Sequence, residues 1–331
     1  MLPRSIRTAV VTLLLGALAA CGSGSDDAAG PASGAAESDY PQQSIRFLVP
    51  YGAGGPTDLT SRTVASCLEK DLGQTVVVEN KPGASGALAT TELKGSKPDG
   101  YTLSLITAGT MVLTPLANPV GYTKDDITPV GVMSEVPSLL AVGKASPYKD
   151  GKAFLDAARD RAGQLKVGVP GASTPQGIEL QRLDKEHGVK VTPVPFNGNA
   201  EMTTALLGGN IDAVLINASA DVAANVQNGS FVPLVASPEK RLPWLKDTPT
   251  FTELGLKGLT LSGSTFGLAG PAGLPADVTS KLQDTLRGCL DKPEVRKGLG
   301  ENYVTTDFVD GASLKKVLDE TQKVYEPILK K

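Results

Sequence analysis

The chain has 331 residues, of which 40% are hydrophobic and 20% charged, with a net charge of −3. Such values fit a globular protein of about two domains and leave no basic footprint for nucleic acid. Aromatic residues are few at 5%, which argues against platforms that stack bases or sugars, and His187 is the single histidine.

The first stretch reads as a targeting segment. Arg4 and Arg7 form a positive start, and residues 9–20 are an apolar run too short to span a bilayer as a stable helix. It ends in Leu18-Ala19-Ala20-Cys21, which resembles a bacterial lipobox; in such signals the Cys is lipidated and becomes the first mature residue. Residues 1–20 are thus expected to be a lipoprotein signal peptide. The competing reading is an ordinary signal peptide with a chance Cys. Residues 21–39 are Gly, Ser, Ala and acidic residues without apolar periodicity, a flexible tether. The expected location is extracytoplasmic, on a lipid anchor to the cell membrane, at the periplasmic face where an outer membrane exists.

Residues 45–50 read as a strand. They run into Tyr51-Gly52-Ala53-Gly54-Gly55 and then a helix over 56–72, with Pro56 at its first position and Gly73 at its end. A strand, a bare loop and a helix start make a socket for an anion. Residues 75–79 are a second strand, followed by Gly83-Ala84-Ser85-Gly86 and a helix to about residue 94. Residues 101–106 are a third strand that opens into Thr107-Ala108-Gly109-Thr110. Strands alternating with helices imply a mostly parallel sheet, with ligands beyond the carboxyl ends of its strands. Residues 139–142 read as a short crossover strand.

A second α/β unit follows: a helix over 152–162, a strand over 165–169, the polar loop 170–175 before a helix, and a strand over 189–194. Next come a helix over 200–207, a strand over 211–216, a helix over 221–227 and a strand over 231–236. Residues 241–257 are Pro-rich and irregular. Residues 259–269 read as an extended return crossover, and helices over 276–290 and 311–329 end the chain. Export leaves Cys67 and Cys289 as an even pair in an oxidising compartment, each beside an apolar helix stripe. They are expected either to form a disulfide or to remain as two buried thiols.

Enzyme readings lack parts. The first loop has no Lys of a P-loop, and Thr57 stands where the third glycine of G-x-G-x-x-G belongs. Gly83-Ala84-Ser85-Gly86-Ala87 comes near a nucleophile elbow, but Ala87 replaces the last glycine, and His187 sits at a charged helix end. No Cys/His spacing offers a zinc site, and Asp125-Asp126 reads as a solvated pair. No catalytic residue, metal or cofactor is expected.

Three segments stand out: Val49-Pro50-Tyr51-Gly52-Ala53-Gly54-Gly55-Pro56-Thr57-Asp58 with Arg62, Val78-Glu79-Asn80-Lys81-Pro82-Gly83-Ala84-Ser85-Gly86, and Lys97-Pro98-Asp99-Gly100-Tyr101. Further on come Val194-Pro195-Phe196-Asn197-Gly198, Leu207-Gly208-Gly209-Asn210-Ile211-Asp212, Pro249-Thr250-Phe251-Thr252-Glu253 and Ala269-Gly270-Pro271-Ala272-Gly273. In this order they resemble the motifs of the Bug family, the extracytoplasmic solute receptors of tripartite tricarboxylate transporters. The resemblance covers roughly residues 40–331. It implies a two-lobed α/β fold of the type 2 periplasmic-binding-protein class, with two crossover strands and a ligand cleft. The first lobe would be 40–142 with 265–331, and the second 143–264.

The resemblance also implies a ligand set. In the first lobe it comprises Tyr51, Gly54, Gly55, Thr57, Asp58, Ala84, Ser85, Gly86, Thr107 and Thr110. The second lobe adds Ser173, Thr174, Phe196, Asn197 and Asn217, and ordered waters bridge ligand and lobes. Many members carry Asp where Asn217 stands, so a more anionic or amide-bearing ligand end is favoured here. Asp58 either caps its helix or binds an amino group, and capping is the commoner role of Asp at a helix start.

The expected ligand is a small organic acid: a mono-, di- or tricarboxylate. The expected partners are two membrane subunits, one large and one small, and the receptor is expected to be a monomer. Without Arg, Lys or His in the implied set, backbone N–H groups, hydroxyls and helix dipoles must hold the anion. Four charge-assisted hydrogen bonds give roughly 6–12 kcal/mol against an association cost of about 4–15, so closure of the second lobe is expected to complete the site. Alternatives are a sensory receptor for a signalling partner, a receptor for an amino acid or for a neutral amide such as nicotinamide, and an exported hydrolase using Ser85.

Overall fold

The computed structural model describes residues 39–330. The predicted signal peptide, Cys21 and all but the last tether residue lie outside them.

The chain forms two five-stranded sheets. The first has the order β2 (Val76–Asn80), β1 (Ile45–Val49), β3 (Thr102–Thr107), β10 (Ser264–Pro271), β4 (Ile127–Val136). The second has the order β7 (Thr192–Pro195), β6 (Lys166–Val169), β8 (Ala213–Asn217), β5 (Ser138–Gly143), β9 (Phe231–Ala236). Strand β1 is parallel to β2 and β3, whereas β10 runs antiparallel to both β3 and β4. In the second sheet β6 is parallel to β7 and β8, whereas β5 is antiparallel to β8 and β9. Each sheet is therefore mixed, and its antiparallel strand is the one that arrives from the other lobe.

The first crossing falls at Pro137, between β4 and β5. The expected boundary after residue 142 is displaced because β5 already pairs in the second sheet, Leu139 opposite Ile216 and Ala236. The sequence reading lacks the short helices α3 (Thr114–Ala117) and α9 (Pro293–Leu299) and one strand, β4. It contains Pro129 and Gly131, residues that ordinarily demote a strand. Here Pro129 sits beside a register shift opposite Leu268 and Ala269, and a Cβ on Gly131 would meet Phe308 Cζ at 2.7 Å. The return crossing ends at β10, one residue before the expected start of the last segment.

Side chains alternate across each sheet. In β1, Phe47 faces a core with Leu68, Leu282 and Leu286, and Leu48 faces another with Leu93, Met111 and Leu314. Helices α1 (Pro56–Leu72) and α8 (Ala276–Asp291) cover the first face; α2 (Ala87–Lys94) and α10 (Gly311–Leu329) cover the second. In β5, Leu140 and Val142 face Phe154 and Leu183, whereas Leu139 and Ala141 face Met202 and Leu206. Those partners lie on α4 (Gly151–Asp160), α5 (Pro175–His187) and α6 (Asn199–Leu207).

The fold joins Cys67 of α1 to Cys289 of α8 in a disulfide that spans 222 residues of sequence. Both half-cystines are buried. Of the two sequence readings, the bonded one holds. Neighbouring Asp71 pairs with Lys292 at 2.6 Å.

Candidate ligand-binding site

The carboxyl ends of the parallel strands of both sheets face one cleft. Strand β1 delivers the loop from Pro50 to Gly55, whose shape is set by Asp58. The Gly54 N–H, in the left-handed region with φ of 79°, donates to Asp58 Oδ2 at 2.9 Å. Asp58 Oδ1 accepts from Arg62 Nε at 3.0 Å and from Asn80 Nδ2 at 3.0 Å, and Asn80 Nδ2 also reaches the Tyr51 carbonyl at 3.1 Å. Burial pushes the Asp58 carboxyl up, but the hydrogen bonds from Arg62, the Gly54 N–H and Asn80 outweigh it and hold the group below the ordinary carboxylate range. Of the two roles considered for Asp58, bracing the loop and helix start is the one its contacts fill.

Three helices begin at the cleft. Helix α1 starts after Gly55, α5 after Thr174 and α6 after Gly198. The Thr174 hydroxyl accepts from the Gly177 N–H, whereas α1 and α6 have no side-chain cap at their N-cap residues. First-turn N–H groups have no partner inside a helix, and each helix start carries a partial positive charge. All three ends line one pocket, which also takes Tyr51, Gly52, Thr107, Pro170, Asn217, Ser264 and Phe266. No Arg, Lys, His, Asp or Glu lines it. Burial pushes the Tyr51 phenol far up, so it stays protonated as a neutral hydroxyl beside Thr107.

The lobes touch beside this pocket. The Gly52 N–H donates to the Asn197 carbonyl at 2.9 Å, and Asn118 Nδ2 donates to Ser173 Oγ at 2.7 Å. The Ser173 N–H points to Ser85 Oγ at the long distance of 3.5 Å. Helix α5 reaches into the first lobe as well, since Ile178 belongs to the core of Leu48 and Met111.

Of the residues implied by resemblance, Tyr51, Gly55, Thr57, Thr107, Thr174 and Asn217 line the pocket. The others stand around it. Gly54 and Asp58 shape the first loop. Ala84 and Ser85 take left-handed backbone angles, φ of 49° and 52°, in a turn that packs on the second lobe. Gly86 lies against Thr110, where a Cβ would come within 2.4 Å of Thr110 Cγ2. Thr110 and Thr107 exchange N–H to hydroxyl bonds at 3.0 Å. Ser173 binds Asn118, Phe196 packs with the α6 core, and Asn197 offers its carbonyl to Gly52 and its side chain to Glu201.

Sequence reading missed Gln176 and Asn199, which are fully buried and line the pocket. Gln176 Nε2 donates to Asn217 Oδ1 at 2.8 Å and to Ser138 Oγ at 2.9 Å, and Asn199 Nδ2 donates to the Asn217 carbonyl at 3.2 Å. The available signal was position alone: each is a polar residue in the first turn after a helix-starting Thr-Pro or Gly. The hydrolase reading of Ser85 finds no base, because His187 lies at the far end of α5, where Nε2 meets the Lys257 carbonyl at 3.1 Å.

Residues 60–331 match the model of the tripartite tricarboxylate transporter family receptor. The chain belongs to that family. It is similar to the UPF0065 protein in the gbd 5′ region of Cupriavidus necator, 33% identical over 92% of this chain and 91% of that one. Among solved structures it resembles the periplasmic binding protein BugD, at 28% identity and a TM-score of 0.82, covering 88% of this chain and 98% of that one. It also resembles MatC from Rhodopseudomonas palustris with bound malate, at 28% identity and a TM-score of 0.79, covering 88% of this chain and all of that one. The fold is thus the two-lobed α/β periplasmic-binding architecture, and the chain is a solute-binding receptor of a transporter family, not an enzyme. Among the described residues no helix is long and apolar enough to cross a membrane.

Proposed function

We propose that this receptor captures a small organic carboxylate by closing its cleft and delivers it to the two membrane subunits of a tripartite tricarboxylate-type transporter. Residues 1–20 are its signal peptide, Cys21 its lipid anchor and residues 21–39 its tether, so that it works as a monomer at the extracytoplasmic surface of the membrane. The observation that carries the ligand class is the convergence of three helix N-termini on one pocket lined by no Asp, Glu, Lys, Arg or His. A helix terminus contributes about 0.3–1 kcal/mol towards an anion, up to ~2 when partly buried. Each charge-assisted hydrogen bond from a first-turn N–H adds roughly 1.5–3 kcal/mol. A carboxylate gains from both, and the bound malate of MatC is of that class.

Thermal denaturation against a panel of mono-, di- and tricarboxylates tests the reading. A ligand at a hundred times its Kd stabilises by about 2.7 kcal/mol, a rise of roughly 5 °C in Tm for a chain of this size. Gly55→Val should abolish the rise, because a Cβ on Gly55 would already be in van der Waals contact with the Asn199 nitrogen across the cleft, at 3.5 Å, and the two methyls beyond it would take the space a ligand needs. A panel in which only neutral compounds raise Tm would sink the carboxylate reading.

A further inference from the structure

Buried polar atoms in folded proteins are nearly always paired, and an exception calls for a reason. Among the described residues eight buried side-chain atoms have no partner, and two of them, Gln176 Oε1 and Asn199 Oδ1, belong to residues that line the pocket. The other six lie on residues outside it.

The orientation of both amides is fixed by their neighbours. Ser138 Oγ donates its proton to the Ser262 carbonyl at 2.7 Å, so it can only accept from Gln176, and Nε2 must face it. A flipped Gln176 would set two oxygens against each other. Asn199 Nδ2 faces the Asn217 carbonyl and Ser219 Oγ, and a flip would bring oxygen against that carbonyl. Both nitrogens are therefore committed inside the protein, and both oxygens are left as acceptors. With Oδ1 taken by Gln176, Asn217 has its amide N–H groups left to donate.

We infer that the ligand carries a hydrogen-bond donor besides its carboxylate, and that Gln176 and Asn199 of the second lobe accept from that donor. This rests on the carboxylate reading above. The donor is a hydroxyl, an ammonium or an amide N–H; a plain aliphatic acid offers neither oxygen a proton and leaves both to an immobilised water or to no partner. The helix starts of both lobes face the charge, and Gln176 and Asn199 of the second lobe read the donor.

Calorimetric titration of the purified protein with matched four- and five-carbon acids tests this. The probes are succinate and glutarate, malate and 2-hydroxyglutarate, and aspartate and glutamate. At least one donor-bearing acid should bind tenfold or more tightly than its plain counterpart, and the hydroxy and amino arms identify the donor. Gln176→Met and Asn199→Leu should each weaken the preferred acid at least tenfold more than the plain one. Equal affinities in the unmodified protein overturn the inference and leave the carboxylate reading standing. If no acid binds a protein that still melts cooperatively, both fail. The unmodified protein decides the matter even if the variants do not fold.

Discussion

At the residue scale, the first loop depends on Asp58. Its side chain is about 5% exposed and holds Gly54, Arg62 and Asn80 together. Replacing it by Asn keeps the shape but removes the charge and sets an amide N–H2 against one of those donors. Loss of charged hydrogen bonds in such a site costs about 1.5–3 kcal/mol each in the worst case, so Asp58→Asn should lower stability by roughly 1–3 kcal/mol and weaken ligand binding through the loosened loop. The pH dependence has a definite sign. The folded carboxyl lies below its ordinary value of about 3.9, so its stabilisation is fully present above that value. It is lost as pH falls through the lower folded pKa. The gap between the melting curves of the two proteins should narrow as pH falls from 7 to 3; a constant gap would refute this role. The resemblance gave Asp58 a place at the site, and its buried contacts give it the task of shaping the loop.

At the element scale, α1 and α8 are neighbours in one lobe although the whole second lobe separates them in sequence. The disulfide closes that long excursion. A bridge of this kind stabilises by about 2–4 kcal/mol, chiefly by restricting the unfolded chain. Reduction should therefore lower Tm markedly, yet ligand affinity should change less than twofold, because Cys67 and Cys289 lie outside the pocket and both sit in the first lobe. Parallel melts and titrations with and without dithiothreitol check this; a large loss of affinity without a loss of stability would contradict it. The same scale explains the strand that escaped sequence reading. Strand β4 breaks the local rules at Pro129 and Gly131, and only its pairing with β10 and the close approach of Phe308 make those residues suitable.

For the whole molecule, the two lobes also meet at the end of α10. The Tyr325 hydroxyl, from the first lobe, reaches Glu179 Oε1 at 3.3 Å and the Leu261 carbonyl at 3.2 Å. Glu179 is buried on α5, pairs with Arg182 at 2.7 Å, and has its carboxyl pushed up by burial despite that partner. This contact lies away from the pocket and joins the lobes as they stand together. Tyr325→Phe removes one hydroxyl worth about 0.5–1.5 kcal/mol per hydrogen bond. Where closure and binding are linked, the Kd should rise by roughly 2–10-fold with the pocket untouched. Titration of the variant with the best ligand measures it, and an unchanged Kd would show that the contact persists when the cleft opens.

The sequence by itself determined the local frame. Gly52 to Gly55 followed by Pro56 predicts a strand, a bare loop and a helix start because glycine and proline act through their own backbone preferences. The alternation of strands and helices was legible for the same reason: periodicity is local. The place of the last segment in the first lobe came from the family resemblance, and Cys67 and Cys289 were legible only as two cysteines beside apolar stripes, bonded or free, because their pairing spans 222 residues. Only the tertiary structure decided which polar groups meet. Gln176 and Asn199 look like ordinary first-turn residues until α5 and α6 are packed on the second sheet, their nitrogens are used by Ser138 and Asn217, and their oxygens are left unpaired. Likewise Ser85, in the sequence a member of the implied ligand set and a candidate nucleophile, becomes a contact between lobes, and of the two roles open to Asp58 its contacts brace the loop. Such assignments depend on three-dimensional neighbours far apart in the chain, and a hydrogen-bonding side chain has no role until its partners are fixed.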